Sequence, residues 1–283
     1  MNRLTSEQRA QVINCLIEGC SIRSTVRMTG IAKKTVMRLL VEAGKVAAAY
    51  QDKAFRGLTC KRLQVDELWA FCYCKQKNVT AEIVARNPNA GDVWLWVAID
   101  AETKLVPCWL LSSRDAGAAA DFMEDLAGRL AKRVQLTTDG HKPYLEAIES
   151  AFGSNIDYAM LIKLYGSDPE SDTRYSPAKC IGCKGKRVTG NPDPDHVSTS
   201  IAERQNLSVR MTNRRYTRLT NAFSRKLQNH AAAVALNYFA YNFIKIHRTL
   251  RTTPAMAAGV TDRLWEVSDL VALLEAKEAE RAA

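Results

Sequence analysis

The sequence has no run of about twenty apolar residues, so nothing in it reads as a membrane-spanning helix. Its richest stretch, Ala231 to Ile244, is short and is interrupted by Asn237 and Asn242. The opening Met1-Asn2-Arg3-Leu4-Thr5-Ser6-Glu7 lacks the apolar core of a secretory signal, and a cytoplasmic protein is expected. Histidine is scarce, with four in 283 residues, which argues against a His-rich metal site. No internal repeat is evident. Cysteine is present eight times, but in a reducing compartment these read as free thiols rather than a disulfide framework. Cys180-Ile181-Gly182-Cys183 is a lone C-x-x-C without a second pair at suitable spacing. Cys72, Cys74 or His196 would have to complete a four-ligand site, and zinc is not expected. No nucleophile elbow or paired-acid motif appears, which removes acyl and glycosyl transfer from consideration.

What the sequence has is an ordinary globular composition, 47% hydrophobic and 25% charged, enough for about two domains. It also has a strong basic excess, +10, pointing to a polyanionic partner, usually nucleic acid. That excess is unevenly placed. Residues 1–60 hold ten basic and four acidic side chains, and residues 200–251 hold ten and one. The stretch 61–199 between them is nearly neutral, with seventeen basic and nineteen acidic residues.

Residues 1–45 read as three short helices. Thr5 and Gln8 form a capping box, Gly19 and Gly30 are stops, and the third helix is expected to close at Gly44. A glycine-containing turn before the last helix suggests an all-α helix-turn-helix domain. Lys33, Lys34, Thr35 and Arg38 lie at the start of its third helix, where a recognition helix meets bases and phosphates. The bland alternative is a small helical bundle with a solvated basic face. On the DNA-binding reading, removing 1–45 is expected to spare the fold of the rest. Residues 46–60 read as a linker.

From residue 61 the period changes to strands near 63–73, 93–99, 105–111, 134–138 and 156–162. Helices are expected at 117–130 and 142–150, giving a mixed α/β sheet over 61–260. Residues 165–197, with Pro169, Pro177, Pro192 and Pro194, read as a long irregular insertion. Helix returns from Ser200, and 261–283 reads as a helical tail.

Three carboxylates stand out. Asp66 lies inside an otherwise apolar strand, Asp139 ends the fourth strand, and Glu203 opens a helix. A carboxylate in a core strand is costly unless paired or bound to a cation. If the first and fourth strands are neighbours, Asp66 and Asp139 lie side by side, and Glu203 can close the cluster. Such a group suits two Mg²⁺ (or Mn²⁺) ions acting on a phosphodiester. Glu67 is an alternative to Asp66, but alternation places the two on opposite faces, so only one should face the site. Taken singly, Asp139-Gly140 could be an ordinary turn and Glu203 a helix-dipole acid.

In combination the residues resemble a bacterial insertion-sequence transposase of the DDE type, most similar to the insertion-sequence-one family. The likeness rests on Val65-Asp66-Glu67-Leu68-Trp69, Thr138-Asp139-Gly140-His141-Lys142-Pro143-Tyr144 and Ile201-Ala202-Glu203-Arg204-Gln205-Asn206. It continues through Asn221-Ala222-Phe223, Asn229-His230 and Tyr241 to Leu250. The resemblance implies a ribonuclease H-like core and metal-dependent cleavage and strand transfer at the ends of a mobile element. Asp66, Asp139 and Glu203 map onto its acidic triad. It also implies double-stranded DNA partners (terminal inverted repeats and target), a homo-oligomer on paired ends, and a nucleoid-associated location when bound. Arg204, Asn206, Arg210, Arg214, Arg215 and Arg218 are the expected DNA contacts near the acids. His141, Lys142, His247 and Arg248 are further candidates for orienting substrate. The family's cysteine-rich N-terminal segment is not matched, since only Cys15 and Cys20 lie there. Two other readings stand beside this one: a catalytically retired DNA-binding regulator, and a nuclease of the same fold that cuts without joining.

Overall fold

The computed structural model describes residues 4–166, 180–217 and 220–282. Three helices open the chain, α1 (Ser6–Ile17), α2 (Ile22–Thr29) and α3 (Lys33–Ala54). Thr5 caps α1 through a complete capping box with Gln8, and Ser21 caps α2 by accepting from the Ser24 backbone N–H. Gly30 ends α2 in the left-handed region at φ 71°, a conformation that favours glycine.

Helix α3 differs from expectation. It runs 22 residues, straight through Gly44 and into the stretch read as a linker. Gly44 is no stop. A Cβ there would lie 2.4 Å from the Ala232 carbonyl oxygen, so the missing side chain lets α3 close onto α8 (Leu227–Phe239). One apolar cluster joins Val12, Val36 and Leu40 of the opening helices to Leu63 and Leu136 of the sheet and to Leu236 and Phe239 of α8. The opening helices therefore share the core of the rest.

The sheet has six strands in the order β3-β2-β1-β4-β5-β6. They are β1 (Arg62–Cys72), β2 (Gly91–Asp100), β3 (Cys108–Ser112), β4 (Gln135–Thr138), β5 (Asp157–Tyr165) and β6 (Cys180–Thr189). β1 is antiparallel to β2 and parallel to β4; β4 and β5 are parallel, and β5 and β6 antiparallel. A short helix, α4 (Ala81–Arg86), lies between β1 and β2. α5 (Ala116–Ala127) and α6 (Pro143–Phe152) connect β3 to β4 and β4 to β5.

Alternation sorts the sheet into two faces. Leu63, Val65, Trp96 and Ala98 meet Phe122 of α5 and Tyr144 of α6. Leu68, Ala70, Leu95 and Val97 meet Ala202 and Val209 of α7 (Ser200–Thr212) and Tyr238 of α8. Strand β6 corrects the expected irregular insertion: residues 180–189 pair with β5 along its length. Its residues are mostly exposed and polar, so they carry no apolar alternation to read. Pro169 and Pro177 lie outside the described residues.

After α8 a π-helical turn covers Ala240–Ile244, followed by α9 (Pro254–Ala257) and α10 (Val267–Ala282). α10 is more than a tail. It packs on α1, where buried Arg9 pairs with Glu278 at 3.1 Å and Glu275 at 3.8 Å. Among the described residues no helix is long and apolar enough to cross a membrane.

Candidate active site

The parallel ladder between β1 and β4 pairs Leu63 with Leu136 and Gln64 with Thr137, a constant offset of 73 residues. Asp66 and Asp139 are separated by the same 73 residues, so the two acids stand at one level where β4 ends. Glu67 joins them. One carboxylate oxygen from each of Asp66, Glu67 and Asp139 lies within 4.8 Å of the other two. Asp66 and Glu67 do leave β1 on opposite faces, as alternation demands. Asp66 meets α7 and Glu67 meets α6, yet both reach Asp139 at the strand end. The expectation that only one of them faces the site is corrected: beyond Gln64 the ladder with β4 has stopped, so no strand separates the two faces.

On the α7 side the arrangement is built from amides. Buried Gln64 accepts with Oε1 from the backbone N–H groups of Ile201 (2.8 Å) and Ala202 (3.2 Å). It thereby satisfies the start of α7, whose own cap residue Thr199 makes no side-chain capping bond. Asn206, nearly two turns on, donates Nδ2–H to Asp66 Oδ2 at 2.7 Å. Asn206 is buried and inward-facing, so it holds Asp66 instead of lying on an outer DNA-facing surface. Its Oδ1 is a buried acceptor without a partner among the described residues.

Glu203 sits one turn before Asn206 and outside the tight cluster. It is gripped by Lys163 of β5, with Nζ 2.5 Å from Oε1, and by Thr199, whose Oγ1 donates at 2.7 Å. Partial burial would raise its carboxyl, but these two bonds prevail and hold it below the usual range.

On the other face Glu67 is almost wholly buried. Tyr144 donates its phenol O–H to Oε1, and Arg114 reaches Oε2 at 2.9–3.1 Å. Arg114 lies between β3 and α5, stacks over the Trp94 ring at 4.8 Å, and also approaches Asp139 at 3.7 Å. His141 donates its backbone N–H to Asp139 Oδ1 at 2.9 Å.

Crowding of acids shows in their protonation. Burial first and Asp139 second push Asp66 up to about 6, and the same two causes push Glu67 up to about 7. The donors are all hard oxygens, with an unpartnered amide oxygen beside them. That set fits a small divalent cation such as Mg²⁺ and offers nothing to a soft metal.

The basic residues separate. Lys33, Lys34 and Arg38 are exposed on the first turns of α3, Thr35 is half-buried, and Arg38 lies 3.9 Å from Glu42. Arg204 and Arg214 are exposed, and Arg210 is half-buried. Arg215 turns inward, donating Nε–H to Ser224 Oγ at 2.7 Å, and burial pushes its guanidinium down to about 10. Arg218 lies outside the described residues.

The sequence reading passed over Gln64, Arg114 and Lys163. Tyr144 stood in a quoted motif but was given no role. Lys163, the one basic residue in an otherwise largely apolar strand, was a findable signal, whereas nothing local marks Arg114.

Residues 89–163 match a family model described as a DDE domain, DDE_Tnp_IS240. The matched stretch runs from the start of β2 to β5 and contains Asp139 but neither Asp66 nor Glu203. No curated protein matches the chain. A solved structure, "Cryo-EM structure of piggyBac transposase synaptic complex with hairpin DNA (SNHP)", aligns over 96% of this chain and 71% of its own. The identity is 9% and the TM-score 0.43.

Proposed function

We propose that the chain is a DDE-type DNA transposase with a ribonuclease H-like core, related to the insertion-sequence-one group, that cleaves and joins DNA strands at the ends of a mobile element. The observation that carries this reading is the level pairing of Asp66 and Asp139 at the end of parallel strands, with a DDE-domain match across the second of them. Asp66 and Asp139 would hold divalent metal, two Mg²⁺ or Mn²⁺ ions, with Glu203 as the third acid. Bound divalent metal supplies Lewis-acid stabilisation of charge on the attacking and leaving oxygens at phosphorus.

The chain's own residues do the rest. Asn206 fixes the Asp66 carboxylate, Gln64 fixes the helix that carries Glu203, and Lys163 and Thr199 hold the Glu203 carboxylate one turn before Asn206. Glu67 competes with Glu203 for the third place because it is already within 4.8 Å of both aspartates. Its bonds to Tyr144 and Arg114 favour an anchoring role. Exposed Lys33, Lys34 and Arg38, with half-buried Thr35 between them, would recognise the terminal repeats as a helix-turn-helix. Arg204, Arg210, Arg214 and Arg218 would grip phosphates of end and target DNA, within a homo-oligomer on paired ends.

The test is an assay of purified protein with Mg²⁺ and a duplex carrying the inverted repeats that flank its coding region. Joined products are expected. Cutting without joining would reduce the chain to a nuclease, and binding without metal-dependent nicking would leave a DNA-binding regulator. Glu203→Gln and Glu67→Gln separate the two candidates for third acid. Glu203→Gln should abolish nicking while Glu67→Gln retains part of it.

A further inference from the structure

A cavity of about 630 Å³ lies on one flank of α7, the helix that carries Glu203. Its walls come from three places: α7 through Arg204 and Ser208, the β2–β3 connection through Lys104, and the turn after the π-helical segment through His247, Arg248 and Thr249. No carboxylate among the described residues lines it. Among the described residues neither Arg204 nor Arg248 has an ion-pair partner, and both are exposed. His247 adds a buried Nδ1 without a partner. Lys104 is held at φ 60°, a left-handed conformation disfavoured for a non-glycine residue. Asp100 and Tyr241 hold that turn in place: Asp100 accepts from Thr103, and the Tyr241 hydroxyl donates to the Lys104 carbonyl.

Two unpaired guanidiniums, an ammonium, an imidazole and hydroxyls around one concavity are complementary to phosphate and to nothing cationic. Arg204 follows Glu203 on the same helix, so the cavity and the third acid are carried by one element. We infer that this cavity is a phosphodiester-binding cleft that takes the backbone of a DNA strand leading to or from the reacting phosphate. The inference rests on the reading of the chain as a DNA-acting enzyme and adds to it a defined path for the strand.

The test uses full-length protein and a fluorescein-labelled duplex of about 24 base pairs, titrated in EDTA between about 50 and 200 mM salt. Arg204→Ala/Arg248→Ala is expected to lower the slope of log affinity against log salt by about 1.8, two contacts at about 0.9 each. Affinity would then change about twelve-fold less than wild type over that range. Arg204→Lys/Arg248→Lys is expected to keep the slope, because it keeps the charge. An unchanged slope in the alanine variant, with wild type binding the duplex, overturns the cleft and leaves the proposed enzyme standing. Failure of wild type to bind the duplex overturns both. A second arm titrates ATP alone. Saturable ATP binding that the alanine variant loses, with the duplex slope unchanged, would make the cavity a free-nucleotide site and overturn the strand assignment.

Discussion

Gly44 of α3 packs its bare Cα against the backbone of Ala232 in α8, so closely that a Cβ would meet the Ala232 oxygen at 2.4 Å and its Cα at 2.6 Å. The contact seats the opening helices on the same core as the sheet. Gly44→Ala should therefore destabilise the protein, although alanine is the better helix former by about 1 kcal/mol. Overpacking against rigid backbone should outweigh that gain and leave a net loss of about 1–3 kcal/mol, read by urea denaturation. Gly57→Ala provides the contrast. A Cβ there meets nothing within 4 Å, so its cost comes from the positive φ of 65° and stays near 1 kcal/mol.

Removing residues 1–45 is expected to unfold the remainder, against the modular reading of the sequence. The deletion strips Val36, Leu39, Leu40 and Ala43 from the shared core and exposes the α8 face they cover. Loss of cooperative thermal unfolding, or insolubility, is the expected result. A folded fragment with intact near-UV circular dichroism would show that the two parts are separable.

Asp139→Asn should abolish strand cleavage and transfer, by at least about a thousand-fold, while leaving DNA affinity within a few-fold of wild type. The side chain keeps its shape and can still accept from the His141 backbone, so the turn after β4 is preserved. Gel assays of joined product beside duplex titrations make the measurement. Retained transfer would remove Asp139 from the chemistry.

Asp66 gives a pH-dependent prediction. Folding lifts its carboxyl from the usual 3.8 to about 6, so ionisation opposes folding. The group's contribution to stability is fully present below about pH 4, is lost as pH rises through about 6, and the penalty is complete above that. In metal-free buffer at pH 8, Asp66→Asn should be more stable than wild type by up to about 3 kcal/mol, and at pH 3.5 the two should coincide. Asn206 keeps an acceptor to bond in the variant. Adding Mg²⁺ at pH 8 should raise the Tm of wild type and leave Asp66→Asn nearly unmoved. Equal Tm values with and without Mg²⁺ in wild type would count against a cation at this cluster.

Much of the sheet was legible because β1 and β2 carry dense apolar patterns, and alternation put Asp66 and Glu67 on opposite faces correctly. Alternation could not say that β4 stops before their level, which is what lets both acids reach Asp139. Gly44 was misread because a glycine marks a helix end and a close helix crossing with the same letter. β6 was missed because an exposed strand, Cys180-Ile-Gly-Cys-Lys-Gly-Lys-Arg-Val-Thr, has no buried side to pattern it. Arg114 carries no local signal at all. Its role arises from Trp94, Glu67 and Asp139, up to 47 residues away in sequence.

Gln64 sits two residues before Asp66 on the same strand and holds the first turn of the helix that bears Glu203 and Asn206. Acids far apart along the polypeptide are thus referenced to a single short piece of backbone, and the segment leading into α7 is relieved of aiming it. Loops of very different length can then be spliced between β5 and α7 without disturbing the spacing of the reactive groups.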